Sequence, residues 1–336
     1  QRTKYSEIYL RNGSNQYLAF PYKDASQVEM MAGETNNYYS AWRPVSVYIN
    51  GNYLSLYELR EKLNEEYFET LEEASSATID LLSQSFWYGG TLRAVEGSVD
   101  PFYDDYDAFN ALDPADPGFW DLADQYFDLT WYTDYIIAES WMSNTDWPGN
   151  NIKIYRSDKT NNRWRFCVID MELSLQPNGW TDCYGDHINY MLVQDPANPY
   201  INIWLKGMQN QKFRNYFINR FADMMNSSYR IDRLLAVEES MFRQTVQEMP
   251  KEYGRWGDPN NISQQMSDFN NRHHEFQFQL SERTAQVRNH IQSNLGLNGQ
   301  VAVTLEAVPP GSGKIKISTI VPDSLPWTGV YFDGNP

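Results

Sequence analysis

The sequence predicts an α+β protein with antiparallel β-hairpins and a large helical lobe. Three observations carry this reading. Apolar and polar residues alternate around an Asn-Gly pair near residue 50, two short apolar runs flank a polar turn near residue 160, and helical periodicity fills most of residues 201–295.

Val45, Val47 and Ile49 alternate with Ser46, Tyr48 and Asn50, and Asn50-Gly51 is a two-residue turn signal ahead of Tyr53-Leu54-Ser55-Leu56-Tyr57, so residues 45–59 read as a hairpin. Residues 60–68 shift to helical composition, and the hairpin is expected to run into a short helix there. Residues 98–117, rich in Asp, Pro and Tyr, read as an acidic loop. In residues 119–142, Leu122, Ala123, Tyr126, Phe127, Trp131, Ile136, Ile137 and Trp141 recur at steps of three and four, which predicts a long buried helix or a helix pair. Residues 152–156 and 164–169 read as two strands joined by the polar turn 157–162. Helices are expected over 213–226, 231–249 and 262–295, separated by Pro250 and the 254–261 loop. After Gly296 the runs 301–305 and 314–318, with Pro-Pro-Gly between them, read as strands of a small C-terminal β unit. The domains expected are therefore 1–296 and 297–336, the second ending abruptly at Asp333-Gly334-Asn335-Pro336.

A chain of 336 residues can bury a real core without disulfide staples. Its 27 basic against 44 acidic residues give a net charge of -17, a field that repels a nucleic-acid backbone. The 24 Tyr and 11 Trp, with abundant Asn, match the bias of secreted or cell-surface proteins that handle carbohydrate or other polar partners. Two cysteines exclude a Cys-rich metal framework and leave one disulfide or two free thiols. Cys167, inside the apolar run before Asp170, reads as a small core hydrophobe. No stretch approaches the roughly 20 apolar residues of a membrane helix. Gln1 opens directly into sequence of structural composition, as in a fragment or processed chain whose export signal or lipid anchor would lie upstream.

The chemistry-bearing pattern is Asp146-Trp147-Pro148-Gly149-Asn150-Asn151 followed by Val168-Ile169-Asp170. A protein-kinase catalytic loop places its proton-accepting Asp five residues before a metal-binding Asn, and a second Asp closing a later strand holds the other metal ion. Taken alone the spacing also suits turn residues and helix caps. The four histidines fall into no zinc spacing, and no Gly-x-Ser-x-Gly elbow occurs. Lys153 reads as an exposed strand lysine.

Together with Pro44 to Tyr53, Tyr57-Glu58-Leu59-Arg60-Glu61-Lys62 and Trp164 to Glu172, these segments resemble the CotH (spore coat protein H) family of atypical kinases. Tyr9-Leu10-Arg11-Asn12-Gly13, Lys212 to Phe217, Phe221-Ala222-Asp223 and Glu248-Met249-Pro250 look like its secreted, lipoprotein-type bacterial members. The resemblance implies an atypical protein-kinase-like fold that binds ATP with Mg²⁺ or Mn²⁺ and phosphorylates Ser or Thr of a protein acceptor. It implies Asp146 as catalytic base and Asn151 and Asp170 as metal ligands. Glu172 is expected to join them at the metal, standing where the family commonly has the second Asp of Asp-x-Asp. Glu61, placed in the helix after the hairpin, matches a glutamate that orders a phosphate-binding lysine. The family's Gly-rich, Lys-bearing β segment lies upstream of where this chain begins. The alternative is a non-catalytic, pseudokinase-like surface protein that binds glycan or a partner through its aromatic loops. A glycoside hydrolase would use Asp146 and Asp170 about 5–10 Å apart, and the Asn between them fits a metal site better.

Overall fold

Residue 5 and residues 7–336 are described by the computed structural model. Strand β1 (Ile8–Arg11) precedes helix α1 (Lys23–Ala32), then β2 (Trp42–Ile49) and β3 (Asn52–Glu61) form the expected hairpin. The three strands make an antiparallel sheet in the order β1-β3-β2. At the turn, Asn50 and Gly51 have φ of 51° and 79°, the left-handed pair whose twist matches that of the flanking strands. A Cβ at 51 would meet nothing within 4 Å. Gly51→Ala is therefore expected to lower stability by about 1 kcal/mol through backbone strain alone, and an unchanged urea midpoint would show that this turn does not fix the hairpin.

The helix expected from residue 60 starts only at α2 (Glu65–Glu72). Residues up to Glu61 stay extended because β3 pairs on both sides, Glu61 with Ile8 and Arg60 with Trp42. Asn64 then caps α2, its Oδ1 accepting from Tyr67 N at 3.2 Å.

Next come β4 (Asp80–Gln84), β5 (Arg93–Glu96) and α3 (Asp100–Asn110). The last corrects the acidic-loop reading of 98–117. Pro101 falls in the first helical turn, where its missing N–H costs nothing, and Phe102 and Phe109 bury one face. Helices α4 (Phe119–Ala123) and α5 (Leu129–Met142) are the expected pair. Strands β6 (Ile152–Arg156) and β7 (Arg165–Phe166) complete an antiparallel sheet in the order β5-β4-β6-β7. β7 is shorter than expected, since Cys167 N still donates to Lys153 O at 2.9 Å but Val168 N turns away to Tyr38 O.

The helical lobe holds α6 (His187–Leu192), α7 (Pro199–Gly207), α8 (Gln211–Asn226), α9 (Ile231–Val246), α10 (Met249–Trp256) and α11 (Ile262–Asn294). Pro250 opens α10 within its first turn. At the C-terminus β8 (Gly299–Leu305) pairs antiparallel with β9 (Trp327–Asp333), not with the expected run 314–318. There, Ile317 and Ile320 only exchange one pair of backbone bonds. Prolines at 309, 310, 322 and 326 keep the intervening chain from donating to a ladder, whereas 327–333 supplies aromatic and β-branched residues. The hairpin lies on α8 and α11. Tyr331 OH donates to Asp223 at 2.7 Å, Arg288 donates to Val330 O at 2.8 Å, and Tyr331 and Phe332 join the main core. Cys167 and Cys183 are free thiols, both buried, as Cys167 was expected to be. No helix among the described residues is long and apolar enough to cross a membrane.

Candidate active site

α5 is apolar nearly all round and buried along almost its whole length, as a helix without a polar face must be. It delivers the chain to Ser143, where a left-handed residue (φ 57°) ends it. From α11 the buried Arg283 caps that end, donating to Trp141 O at 2.6 Å and Ser140 O at 3.0 Å. The loop 144–151 that follows is held by side chains from several segments. Tyr190 OH donates to Thr145 O and Trp147 O, Asn198 Nδ2 to Pro148 O at 3.1 Å and Gln84 Nε2 to Gly149 O at 3.1 Å. A His187 ring nitrogen lies 3.0 Å from Asn144 O.

Within this frame Asp146 Oδ2 accepts from Asn150 Nδ2 at 3.0 Å and Asn151 Nδ2 at 2.8 Å. The two residues singled out by a five-residue spacing therefore meet directly, with Asn151 at φ 56°. Burial raises the Asp146 carboxyl above its usual range, and the Asn150 amide opposes this.

Beneath the loop, Glu139 is fully buried and accepts from Asn144 Nδ2 at 2.8 Å. Burial pushes its carboxyl up to about 8. In the unfolded chain it ionises near the ordinary glutamate value of about 4.3, so between those pH values the folded form holds the extra proton and stability falls as pH rises. Glu139→Gln is expected to match the parent near pH 5 and to exceed it at pH 8 by about 1–3 kcal/mol. Parallel urea midpoints for the two proteins across that range would refute the assignment.

Asp170, at φ 51°, opens toward a cleft of about 800 Å³ between β1, β3 and the β6 end of the second sheet. Its side chain is 40% exposed. Behind it lies an ion network that the sequence reading did not single out. Arg11, the last residue of β1, pairs with Asp24 on α1, with Asp170 at 3.2 Å and with Glu172 at 2.8 Å. Arg60 on β3 joins Asp24 at 3.0 Å and Glu58 at 3.2 Å. Asp24 Oδ1 also accepts from Met171 N at 2.8 Å. Burial works to raise Asp24, but Arg11 and Arg60 overcome it and hold the carboxyl below its usual range. Asp170 fares differently. Burial, then the charge of Asp24, push it up to about 6 despite Arg11, with Asp146 adding to the rise. Burial takes Glu172 and Glu58 each to about 7.

α1 also clamps the chain beyond Asp170. Lys23 Nζ donates to Leu175 O and Pro177 O at 2.7 Å and to Ser174 O at 3.2 Å, and Gln27 reaches Ser174 Oγ at 3.1 Å. Glu61 ends β3 rather than sitting in a helix, lines the cleft, and accepts from Ala41 N at 3.4 Å. Lys153 corrects its reading as an exposed lysine. It is half-buried, lines the same cleft and donates to Leu63 O at 2.9 Å, and burial lowers its pKa. Strand alternation carried that signal, since Ile152 and Ile154 point into the core and Lys153 must point the other way.

Residues 28–293 match the family described as CotH kinase protein. The chain belongs to the CotH kinase family. No curated protein matches it. In this CotH-family chain the hard oxygen donors, the Asp170 carboxylate at the cleft and the Asn151 amide carbonyl in the 144–151 loop, suit Mg²⁺ or Mn²⁺ rather than a soft metal. Glu172 lies beside Asp170 with its side chain only 3% exposed, tied to Arg11 and to Asn15 N. Away from the cleft, His273 stands between Glu238 at 2.8 Å and Glu239 at 3.4 Å. Carboxylates 34 and 35 positions away in sequence escape a search for local zinc spacing, and both ring nitrogens are already taken up by them.

Proposed function

We propose that this CotH-family chain transfers the γ-phosphoryl group of ATP to a hydroxyl acceptor, with Asp146 as the proton-accepting residue. The observation that carries the reading is the Asp146–Asn151 bond at 2.8 Å in the loop whose Asp146 charge acts on Asp170 at the cleft. Asn151 and Asp170 would hold the divalent cation, which supplies neutralisation of the phosphate charge. Glu172 adds a third carboxylate, engaged by Arg11. Lys153 lines the cleft as a cation suited to a polyphosphate.

The two asparagine amides fix Asp146 Oδ2, and Oδ1 would be the oxygen that serves an acceptor. Asp146 then takes the proton of a hydroxyl whose oxygen bonds to Pγ while the bond from Pγ to the β-phosphate oxygen breaks and ADP departs. The raised carboxyl makes Asp146 a better base than an ordinary aspartate. Fixed groups around the loop supply positioning, the main contribution such a site can make.

Titrating the protein with ATP in Mg²⁺, in Mn²⁺ and in EDTA tests the reading. Binding that requires the metal supports it. Equal binding with and without metal, or none, would favour a non-catalytic surface protein with the same scaffold.

A further inference from the structure

Behind the cleft four carboxylates surround two guanidiniums, and three of them have both oxygens engaged. Glu172 Oε2 accepts from Arg11 at 2.8 Å and its Oε1 from Asn15 N at 3.3 Å. Asp24 Oδ1 accepts from Met171 N at 2.8 Å, while its Oδ2 pairs with Arg11 and, at 3.0 Å, with Arg60. Glu58 Oε1 accepts from Trp42 Nε1 at 3.1 Å and its Oε2 from Arg60 at 3.2 Å. Asp170 differs. Arg11 Nη2 reaches its Oδ1 at 3.2 Å, and among the described residues no donor reaches its Oδ2.

Accepting the kinase reading, we infer that Arg11 takes the place of a second metal ion, so that the site holds one divalent cation with ATP, on Asp170 Oδ2 and the Asn151 carbonyl, and Glu172 belongs to Arg11 rather than to the metal. A protein kinase holds two Mg²⁺ on an Asp and an Asn. Here a single Arg11 nitrogen, Nη2, lies within hydrogen-bond distance of both Asp170 and Glu172, where an ion bridging the two carboxylates would bind. An ion brought there would meet the guanidinium charge at close range, in surroundings where water screens little. The fork is not free to withdraw, because β1 pairs Arg11 with Glu58 of β3 and Asp24 holds Nη1. One ion matches what Mg²⁺ commonly takes from a protein, one or two carboxylates plus the substrate's phosphates. Arg11 itself lines the cleft, which leaves a fixed positive charge at the wall where a second ion would have stood.

In the test, Mn²⁺ is titrated into the parent, Glu172→Gln and Arg11→Met, each with one equivalent of a non-hydrolysable ATP analogue, and bound ion is counted from the loss of the free-ion EPR signal. The parent is expected to saturate at one ion per chain. Glu172→Gln, whose amide oxygen can still accept from Arg11, should keep that ion with Kd within about threefold, and a loss of about tenfold or more, the least that a group supporting a metal ligand is worth, would overturn the inference. Arg11→Met frees oxygens of both Asp170 and Glu172 and is expected to take up a second ion. A single ion in the folded variant overturns the exchange of guanidinium for metal. The parent count and Glu172→Gln decide the matter where Arg11→Met does not fold. Two ions in the parent overturn the inference and leave the kinase reading standing. An analogue that binds without Mn²⁺, or does not bind at all, overturns both.

Discussion

Asp170→Ala is expected to abolish metal-dependent ATP binding while leaving the protein folded. Asp170 is the carboxylate of the network that opens into the cleft, with 40% of its side chain exposed against 3–5% for Asp24, Glu58 and Glu172. Groups that hydrogen-bond a metal's ligands are worth about 10–100-fold in metal affinity, so losing a ligand should cost more than about 100-fold. Stability should move the other way or not at all. Burial and Asp24 push the Asp170 carboxyl up to about 6, so its ionised form is an unfavourable element of the folded chain at neutral pH, and Arg11 keeps Asp24 and Glu172. The pairing of lost binding with an unchanged or higher unfolding midpoint separates a ligand from a structural residue. Tight Mg-ATP binding by the variant would remove Asp170 from the site.

The second large effect falls on stability. Arg11→Met takes one cation from three carboxylates, two of which, Asp24 and Glu172, are nearly inaccessible to water. Breaking a buried pair from one side typically costs about 3–5 kcal/mol because the remaining charge is stranded. Arg60 still holds Asp24, which places the expectation at the lower end of that range. Adding Asp24→Asn should recover part of the loss, since the two sites share a network and cannot be additive. Arg11→Lys is expected to behave nearly as badly as Met, because a single ammonium cannot span the partners that the guanidinium fork reaches. Urea unfolding of the four proteins decides the matter. A loss below about 1 kcal/mol for Arg11→Met would mean that water or other groups solvate these carboxylates.

Regular periods made much of this protein legible. The hairpin ending in Asn50-Gly51, the α4–α5 pair and the long helices α8, α9 and α11 follow from alternation and from three-four spacing, which survive in the fold because one face of each must be buried. Asp146, Asn151 and Asp170 stood out for a different reason, a spacing like that of a protein-kinase catalytic loop. What stayed hidden depends on partners far away in sequence. α1 reads as a polar, surface-like segment, yet Lys23, Asp24, Ser26 and Gln27 are all buried. Lys23, the Gln27 amide nitrogen and Asp24 bond the 171–177 segment, Asp24 also pairs with Arg11 and Arg60, and Ser26 bonds Lys23 O. Arg60 and Glu61 look like a helix start until β1 and β2 are known to flank them. The 314–318 run looked like the partner of β8, but the true partner lay beyond two further prolines.

Arg11 and Asp170 are 159 positions apart. Loop-closure entropy grows only slowly with length, about 0.6 kcal/mol per doubling, so this separation weighs little on equilibrium stability and heavily on the order of events. The N-terminal strand must wait for the segment after β7 before either can settle, and no shorter stretch of the chain contains the cleft. The cleft is therefore expected to form late in folding and all at once, with the first and the central segments of the chain joined in the same step.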